Sequence, residues 1–291
     1  MAITKQVGRS GYKVLVPTDF SSDSARAMRY ALALPGPGVK VTAVHAIDPL
    51  QYKFGPRESS NLRRRQAWAS AQQFMAHWMQ EGDFCAAEMA VIEGEPAPAV
   101  AEFVSTKPTD LVVLATSARL HAKRLLLGSV AEEIFREIKC PVVVLGPKAR
   151  LGKVQAVPRF VFATDLEPHS LAALPQLSKL CSRFRCDVAV IRAVPFLAES
   201  PAERHRKRKE TRATFEAAAD QNLRRHTKTI TVVFAPPAEA IPKFANRLDA
   251  DAIIMGIRTG GELSRAATHI PWTVSHRVIA KAKCPVITIR G

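Results

Sequence analysis

The stretch Lys13–Ser21, KVLVPTDFS, recurs further along the chain as Arg159–Glu167, RFVFATDLE. Each copy is a short apolar run that ends in Thr-Asp and precedes a helical pattern. Two more pairs of matching segments follow in the same order: Asp110–Ala115 (DLVVLA) with Asp251–Gly256 (DAIIMG), and Lys139–Leu145 (KCPVVVL) with Lys283–Ile289 (KCPVITI). Three ordered matches about 145 residues apart indicate a domain duplication rather than a solenoid repeat.

Within each copy, apolar runs alternate with helical patterns. The runs are continuous rather than alternating, as expected for strands buried on both faces of a parallel sheet. Strands are predicted at 13–17, 39–46, 86–92, 110–114 and 141–145, and again at 159–163, 187–193, 229–234, 251–255 and 285–289. Helices are predicted in the first copy at 22–34, 58–81, 97–106 and 129–138. This order predicts two doubly wound, Rossmann-like α/β domains, at 1–150 and 157–291, joined by a linker at 146–158.

The composition fits two ordinary globular domains, with 291 residues, 47% hydrophobic and 23% charged. No apolar run approaches the roughly 18 residues that a membrane span needs. Residues 1–12 lack the apolar stretch of a signal peptide, so a cytoplasmic protein is expected. The five cysteines form no CxxC pair and are read as small hydrophobic residues rather than as a zinc or disulfide framework.

The formal net charge of +16 predicts attraction to an anion, whether a nucleotide, a nucleic acid or an acidic partner. Basic runs occur at Arg63–Arg65 and Arg204–Lys209, in the long second helix of each copy. A solvated helix face is the favoured interpretation, and nucleic-acid binding is the alternative. Aromatic residues are few, and no RNA-binding motif places them among the basic residues.

Ligands of open parallel sheets bind beyond the carboxyl ends of the strands. Thr18 and Asp19, and in the second copy Thr164 and Asp165, therefore belong at the mouth of a cleft. Each aspartate has two interpretations: it caps the following helix, or it contacts a ligand such as a ribose.

Several segments together resemble the universal stress protein domain: Pro17–Ser21 (PTDFS), His45–Asp48 (HAID), Gly94–Pro96 (GEP), Leu127–Val130 (LGSV) and Cys140–Val144 (CPVVV). The resemblance covers almost the whole chain, twice. It implies two five-stranded sheets of order 3-2-1-4-5. It also implies that the domains pair through their last strands, Val142–Leu145 and Val286–Ile289, as an internal pseudo-dimer, and that two chains associate further.

ATP-binding members of that family carry Gly-x2-Gly-x9-Gly-Ser/Thr after the fourth strand, wrapped around the ribose and phosphates. Glycines let the backbone approach the phosphates, and the final pair opens a helix whose free N–H groups bind anions. The corresponding positions of the first copy, which keep the spacing, are Ala115, Ala118, Gly128 and Ser129, followed by Val130. The resemblance further implies that Pro17, Thr18, Asp19 and the backbone of Ala46 hold the adenosine, and that Mg²⁺ accompanies ATP.

The second copy departs further from this pattern. Gly256 is kept, but Trp272 stands at the phosphate-binding glycine, and the loop spans 272 − 256 = 16 positions against 128 − 115 = 13 in the first copy. An indole there would fill the space of a triphosphate. A smaller ligand such as AMP or adenosine could still be bound by the residues that are kept: Asp165, the backbone of Ala193, Gly256 and Thr273.

The sequence offers no enzyme signature. It lacks a Gly-x-Ser-x-Gly elbow, a P-loop and a paired acid and base, so at most weak ATP hydrolysis is expected. No histidine spacing typical of a metal site occurs. The leading hypothesis is a stress-response protein that binds an adenine nucleotide in its first domain. The alternatives are a structural or interaction protein without nucleotide, and a basic nucleic-acid binder.

Overall fold

A computed structural model describes residues 11–36, 38–53, 57–116, 133–134, 138–152, 155, 157–195, 200–257 and 274–290. The strands, in chain order, are β1 Tyr12–Pro17, β2 Val39–Ile47, β3 Glu88–Glu93, β4 Leu111–Ala115, β5 Val142–Leu145, β6 Arg159–Ala163, β7 Asp187–Val194, β8 Thr227–Phe234, β9 Ala252–Ile257 and β10 Val286–Arg290. The helices are α1 Ser22–Leu32, α2 Arg57–Glu81, α3 Pro96–Thr106, α4 Pro168–Leu171, α5 Leu174–Phe184, α6 Pro201–Ala218, α7 Gln221–His226, α8 Pro237–Arg247 and α9 Val274–Lys281.

All ten strands form one sheet of order β3-β2-β1-β4-β5-β10-β9-β6-β7-β8. Every neighbouring pair is parallel except β5 and β10, which run antiparallel. The predicted order 3-2-1-4-5 is therefore confirmed in both halves, as is their pairing through the last strands. Because the central pair is antiparallel, the carboxyl ends of the two sets of parallel strands lie at opposite edges of the sheet.

The central strands are buried because helices cover both faces of the sheet. Along β1, Val14 and Val16 pack into the core on one face with Met28 of α1, while Leu15 packs into the core on the other face with Val100 of α3. All five are at most 2% exposed. The continuous apolar runs of the sequence are thus explained, since an alternating strand would place polar groups in one of these cores.

The two halves are held together at β5 and β10. Val142, Val143 and Val144 lie opposite Thr288, Ile287 and Val286, and the Thr288 hydroxyl donates to the Val142 carbonyl at 3.2 Å. Each strand thereby covers an edge that would otherwise be free to pair with another chain.

The chain leaves β5 through Gly146, where a Cβ would lie 2.1 Å from the carbonyl oxygen of Ile279. Arg26 of α1 then donates to the carbonyls of Gly146 and Ala149, at 3.1 and 3.2 Å. Close backbone approach and these hydrogen bonds fix the start of the linker against both halves.

Candidate functional site

The Thr-Asp turn at the end of β1 is built by hydrogen bonds from its own residues. Thr18 is buried; its N–H donates to the Val44 carbonyl at 2.8 Å, and its hydroxyl donates to Ser24 Oγ at 3.0 Å and accepts from the Phe20 N–H at 2.9 Å. Phe20 takes a left-handed backbone with φ 63°, a strained conformation for a bulky residue that these contacts hold in place. The turn leaves Asp19 exposed at the carboxyl edge of the sheet.

Asp19 does not cap α1. The N-cap is Ser21, whose hydroxyl accepts from the Ser24 N–H, whereas Asp19 accepts from the Ser21 N–H at 3.0 Å. Partial burial raises the pKa of Asp19, but hydrogen bonds from Ser21 and Ser24 outweigh it and hold the pKa below its usual value. Within the described part of the chain no basic side chain pairs with this carboxylate. A negative charge is thus held at the carboxyl end of β1, exposed among the described residues.

Backbone groups of β2 face the same space. Val44 accepts from Thr18 on the β1 side, and Ile47 accepts from Gly94 on the β3 side at 3.0 Å. Because successive residues of a strand direct their N–H and C=O groups to alternate sides, those of Ala46 face the β1 side. The last residue of β1 that pairs with β2 is Pro17, which lies opposite Val44. Ala46 is two residues further along β2, so its backbone groups extend past the paired end of β1.

The second half repeats the turn in detail. The Thr164 hydroxyl lies 2.9 Å from Ser170 Oγ and accepts from the Leu166 N–H at 2.9 Å; Leu166 has φ 66°. Asp165 accepts from the Glu167 N–H at 3.0 Å. The Thr164 N–H donates to the Ile191 carbonyl at 3.0 Å. Because the backbone groups of a strand alternate in direction, those of Ala193 face the same side and lie beyond the end of β6.

The surroundings of the second aspartate differ. Ser170 Oγ donates to Asp165 Oδ1 at 2.8 Å, and His169 Nε2 lies 3.4 Å from Asp165 Oδ2. Both carboxylate oxygens therefore have a side-chain partner from α4. The residue at the His169 position of the first copy is Asp23, which pairs with Arg26 instead. His169 carried no signal in the sequence, because its contact depends on how α4 lies over the turn.

Gly256 ends β9 against the backbone of α4. A Cβ at this position would lie 2.6 Å from the Ser170 Cα and 2.9 Å from the His169 carbonyl oxygen. The corresponding residue of the first half, Ala115, carries its methyl group half-buried against the core. Packing against α4 accounts for the glycine, so its presence is not by itself a sign of a ligand.

Several predicted site residues lie outside the described residues. They are Ala118, Gly128, Ser129, Val130 and Thr273, together with Trp272. The structure brings together Pro17, Thr18, Asp19, Ala46 and Ala115 in the first half. In the second half it brings together Asp165, Ala193 and Gly256.

The basic run Arg63–Arg65 lies in α2, and the basic run Arg204–Lys209 lies in α6. Arg64 donates to Glu93 at 2.9 Å. Arg204 and Arg208 lie over the ring of Phe234, at 5.2 and 5.8 Å from its centroid. Much of this charge has intramolecular partners, which favours the solvated-face interpretation.

The described residues contain no group of three or more His, Cys, Asp or Glu placed to hold a metal ion. None of their helices is both long and apolar enough to cross a membrane.

The fold and the polar strand ends define a tandem protein of the Rossmann-like α/β class, in which ligands bind beyond the carboxyl ends of the strands. The model of the universal stress protein family matches residues 12–146 and again 157–290. The chain therefore belongs to the universal stress protein family, with two copies of its domain.

Individual proteins are similar to this chain to different extents. Universal stress protein MJ0531 of Methanocaldococcus jannaschii is 29% identical over 144 residues, which are 46% of this chain and 81% of that protein. A universal stress protein structure from Archaeoglobus fulgidus has a TM-score of 0.65 at 17% identity and covers 97% of each chain, which supports the fold. A universal stress protein in complex with cAMP is 19% identical, covers 46% of this chain and 98% of that one, and has a TM-score of 0.35.

Proposed function

We propose that this universal stress protein binds an adenine nucleotide in the cleft of its first half and acts in the stress response through conformation or partner binding. The observation that carries the proposal is the exposed carboxylate of Asp19, which no basic side chain pairs within the described residues. It lies at the end of β1, where the backbone of Ala46 is directed beyond the last paired residue. A carboxylate suits the ribose hydroxyls, and a free backbone N–H and C=O suit the adenine edge.

Residues outside the described part would complete the site. In the resemblance, Gly128, Ser129 and Val130 open a helix whose N–H groups would receive phosphates, and Ala118 belongs to the preceding loop. With ATP, Mg²⁺ would accompany the phosphates. Alanines at 115 and 118 leave this frame weaker than one with glycines.

The second half is proposed to bind less well. Serine side chains hydrogen-bond both aspartates, Ser21 and Ser24 at Asp19 and Ser170 at Asp165, but Asp165 also has His169 Nε2 at 3.4 Å. A ligand hydroxyl would have to displace His169 as well, which lowers the net gain of its hydrogen bonds.

Isothermal titration with ATP, ADP and AMP tests the proposal. We expect saturable binding of at least one of the three, weakened about tenfold or more by Asp19→Asn, since charged hydrogen bonds contribute roughly 1.5–3 kcal/mol. Asparagine keeps an acceptor for the Ser21 N–H, so the turn should be preserved. The matched control is Asp165→Asn, which should leave the affinity within about twofold.

No heat with any of the three nucleotides would overturn the proposal. The chain would then be a structural or interaction protein of the family that does not use this cleft for nucleotides. Ser129→Trp gives a second check, because an indole at the predicted phosphate position should abolish binding of ATP.

A further inference from the structure

A second pocket lies far from both strand-end clefts in the second half. It encloses about 210 Å³ between α6, α7 and the first residues of β8, on the outer edge of the sheet. Its base includes Phe215, which is 1% exposed. Drug-sized sites occupy roughly 300–1,000 Å³, so this space suits a small ligand rather than a whole nucleotide.

Cations from three different elements converge on the pocket: Arg212 of α6, Arg224 of α7 and Lys228 of β8. The lining contains one acid, Glu216, and Asp187 lies 3.4 Å from Lys228, which leaves an excess of one positive charge (three cations less two carboxylates). Thr227 and Thr229 also line it; the Thr227 hydroxyl already donates to the Leu223 carbonyl at 2.9 Å, so Thr229 supplies the hydroxyl group for a ligand. Guanidinium, ammonium and hydroxyl groups around a small cavity are donors that suit a phosphoryl dianion.

Part of this arrangement is fixed before any ligand binds. Arg224 Nε donates to the Ala219 carbonyl at 2.8 Å, which holds the guanidinium at the end of α6. The existing acidic partners are loosely held: Arg212 lies 3.4 Å from Glu216 and Lys228 lies 3.4 Å from Asp187, all with side chains 42–60% exposed. Such surface pairs contribute little stability, so a ligand can replace them at low cost.

The fold itself does not require this basic pocket. In the first half, the corresponding connection between the long helix and the edge strand, 82–88 (GDFCAAE), contains Asp83 and Glu88 and no lysine or arginine. Basic residues on an edge strand protect it from pairing with other chains, which accounts for Lys228. Arg212 and Arg224 lie on helices, so edge protection does not account for them.

We propose that the α6–α7–β8 pocket is a binding site for a phosphate-type dianion, separate from the nucleotide cleft of the first half. Arg224 and Arg212 supply the charged hydrogen bonds and Lys228 adds a point charge. The connection at 82–88 of the first half lacks these basic residues, so the duplication would have given the second half a ligand of its own.

Titration with inorganic pyrophosphate and with glycerol 3-phosphate, followed by amide chemical shifts in NMR, tests the proposal. We expect at least one probe to give saturable shifts at Thr229 and Ile230. The variant Arg212→Gln with Arg224→Gln should weaken that binding about tenfold or more. The control Arg206→Gln with Arg247→Gln removes two charges from exposed positions outside the lining and should change it by about twofold or less.

Binding of pyrophosphate alone would support the proposal with an inorganic polyphosphate type of ligand, binding of glycerol 3-phosphate alone would support it with a phosphate monoester, and binding of both would support a site for phosphoryl groups in general. If neither probe gives saturable shifts at these amides, the proposal is wrong. It is equally wrong if the control variant loses as much affinity as the pocket variant, since the net charge of the chain would then be the cause. Asp19→Asn should leave this binding unchanged, which separates it from the proposed nucleotide site.

Discussion

Phe20 and Leu166 adopt the same left-handed backbone, with φ 63° and 66°, after the two Thr-Asp pairs. In each copy a threonine hydroxyl two residues earlier accepts a hydrogen bond from the N–H of the strained residue: Thr18 from Phe20, and Thr164 from Leu166. These hydrogen bonds stabilise the strained turn, and the turn directs each aspartate outward. The Thr-Asp pair that the sequence places at a cleft mouth owes its geometry to this turn.

Gly256→Ala should destabilise the protein by about 1–3 kcal/mol, because the new methyl group meets backbone atoms of α4 that cannot rotate away. Urea unfolding measures the loss. The control is Ala115→Gly at the corresponding position of the first half, which should cost only about 0.5–1 kcal/mol through backbone entropy. Equal and small losses for both variants would contradict the close packing of α4 on β9.

Glu93 should make stability depend on pH in the acid range. Hydrogen bonds from Arg64, Tyr52 and Trp68 lower the pKa of Glu93 to about 2, from an ordinary value of 4.5. A carboxyl group with a lowered pKa in the folded state stabilises the protein above its unfolded pKa. That stabilisation is lost as the pH falls from about 4.5 towards 2.

Between pH 6 and pH 3 the native protein should therefore lose about 1–2 kcal/mol more than Glu93→Gln; this range allows for the exposure of Arg64. Urea unfolding at the two pH values gives the comparison. An identical loss in both proteins would show that the Arg64 contact contributes nothing in solution.

At the scale of elements, the strands were predictable from the sequence and one helix cap was not. Apolar runs located all ten described strands, and their ends differ from the observed ones by a few residues. The runs are continuous in the central strands, which helices cover on both faces, whereas the edge strands β3 and β8 are only partly buried. The alternative that Asp19 caps α1 was wrong because Ser21, two residues later, takes that position. Two neighbouring residues with capping side chains cannot be told apart by spacing alone.

The pairing of β5 with β10 predicts slow amide exchange at the centre of the molecule. Val144 and Val286 are 0% exposed and lie opposite each other. Since Val143 and Ile287 face β4 and β9, the alternation along each strand directs the amides of Val144 and Val286 across the β5–β10 pair, so they should exchange only when the halves separate or unfold. Hydrogen exchange followed by NMR measures this, with the edge-strand residue Met89, 56% exposed, as the fast comparison. Exchange at Val144 as fast as at Met89 would indicate that the halves come apart readily.

For the whole molecule, the sequence repeat revealed the domain duplication but only some of the differences between the two copies. The sequence located the weakened loop of the first copy and the Trp272 substitution of the second. It did not reveal that His169 and Ser170 bind the carboxylate of Asp165, or that Gly256 is needed for helix packing. The contacts of Asp165 are local, four and five residues along the chain, but they depend on the turn that leads into α4, and the packing of α4 on Gly256 is a tertiary contact without a local pattern.

We propose that the first half of the chain carries its tighter adenine-nucleotide site. Native mass spectrometry of the protein titrated with ATP and AMP measures directly how many nucleotides each chain binds and how tightly. We predict that the first nucleotide bound per chain is lost in Asp19→Asn and kept in Asp165→Asn. A first nucleotide that depends on Asp165 rather than Asp19, or two nucleotides that bind each chain with equal affinity, would contradict this.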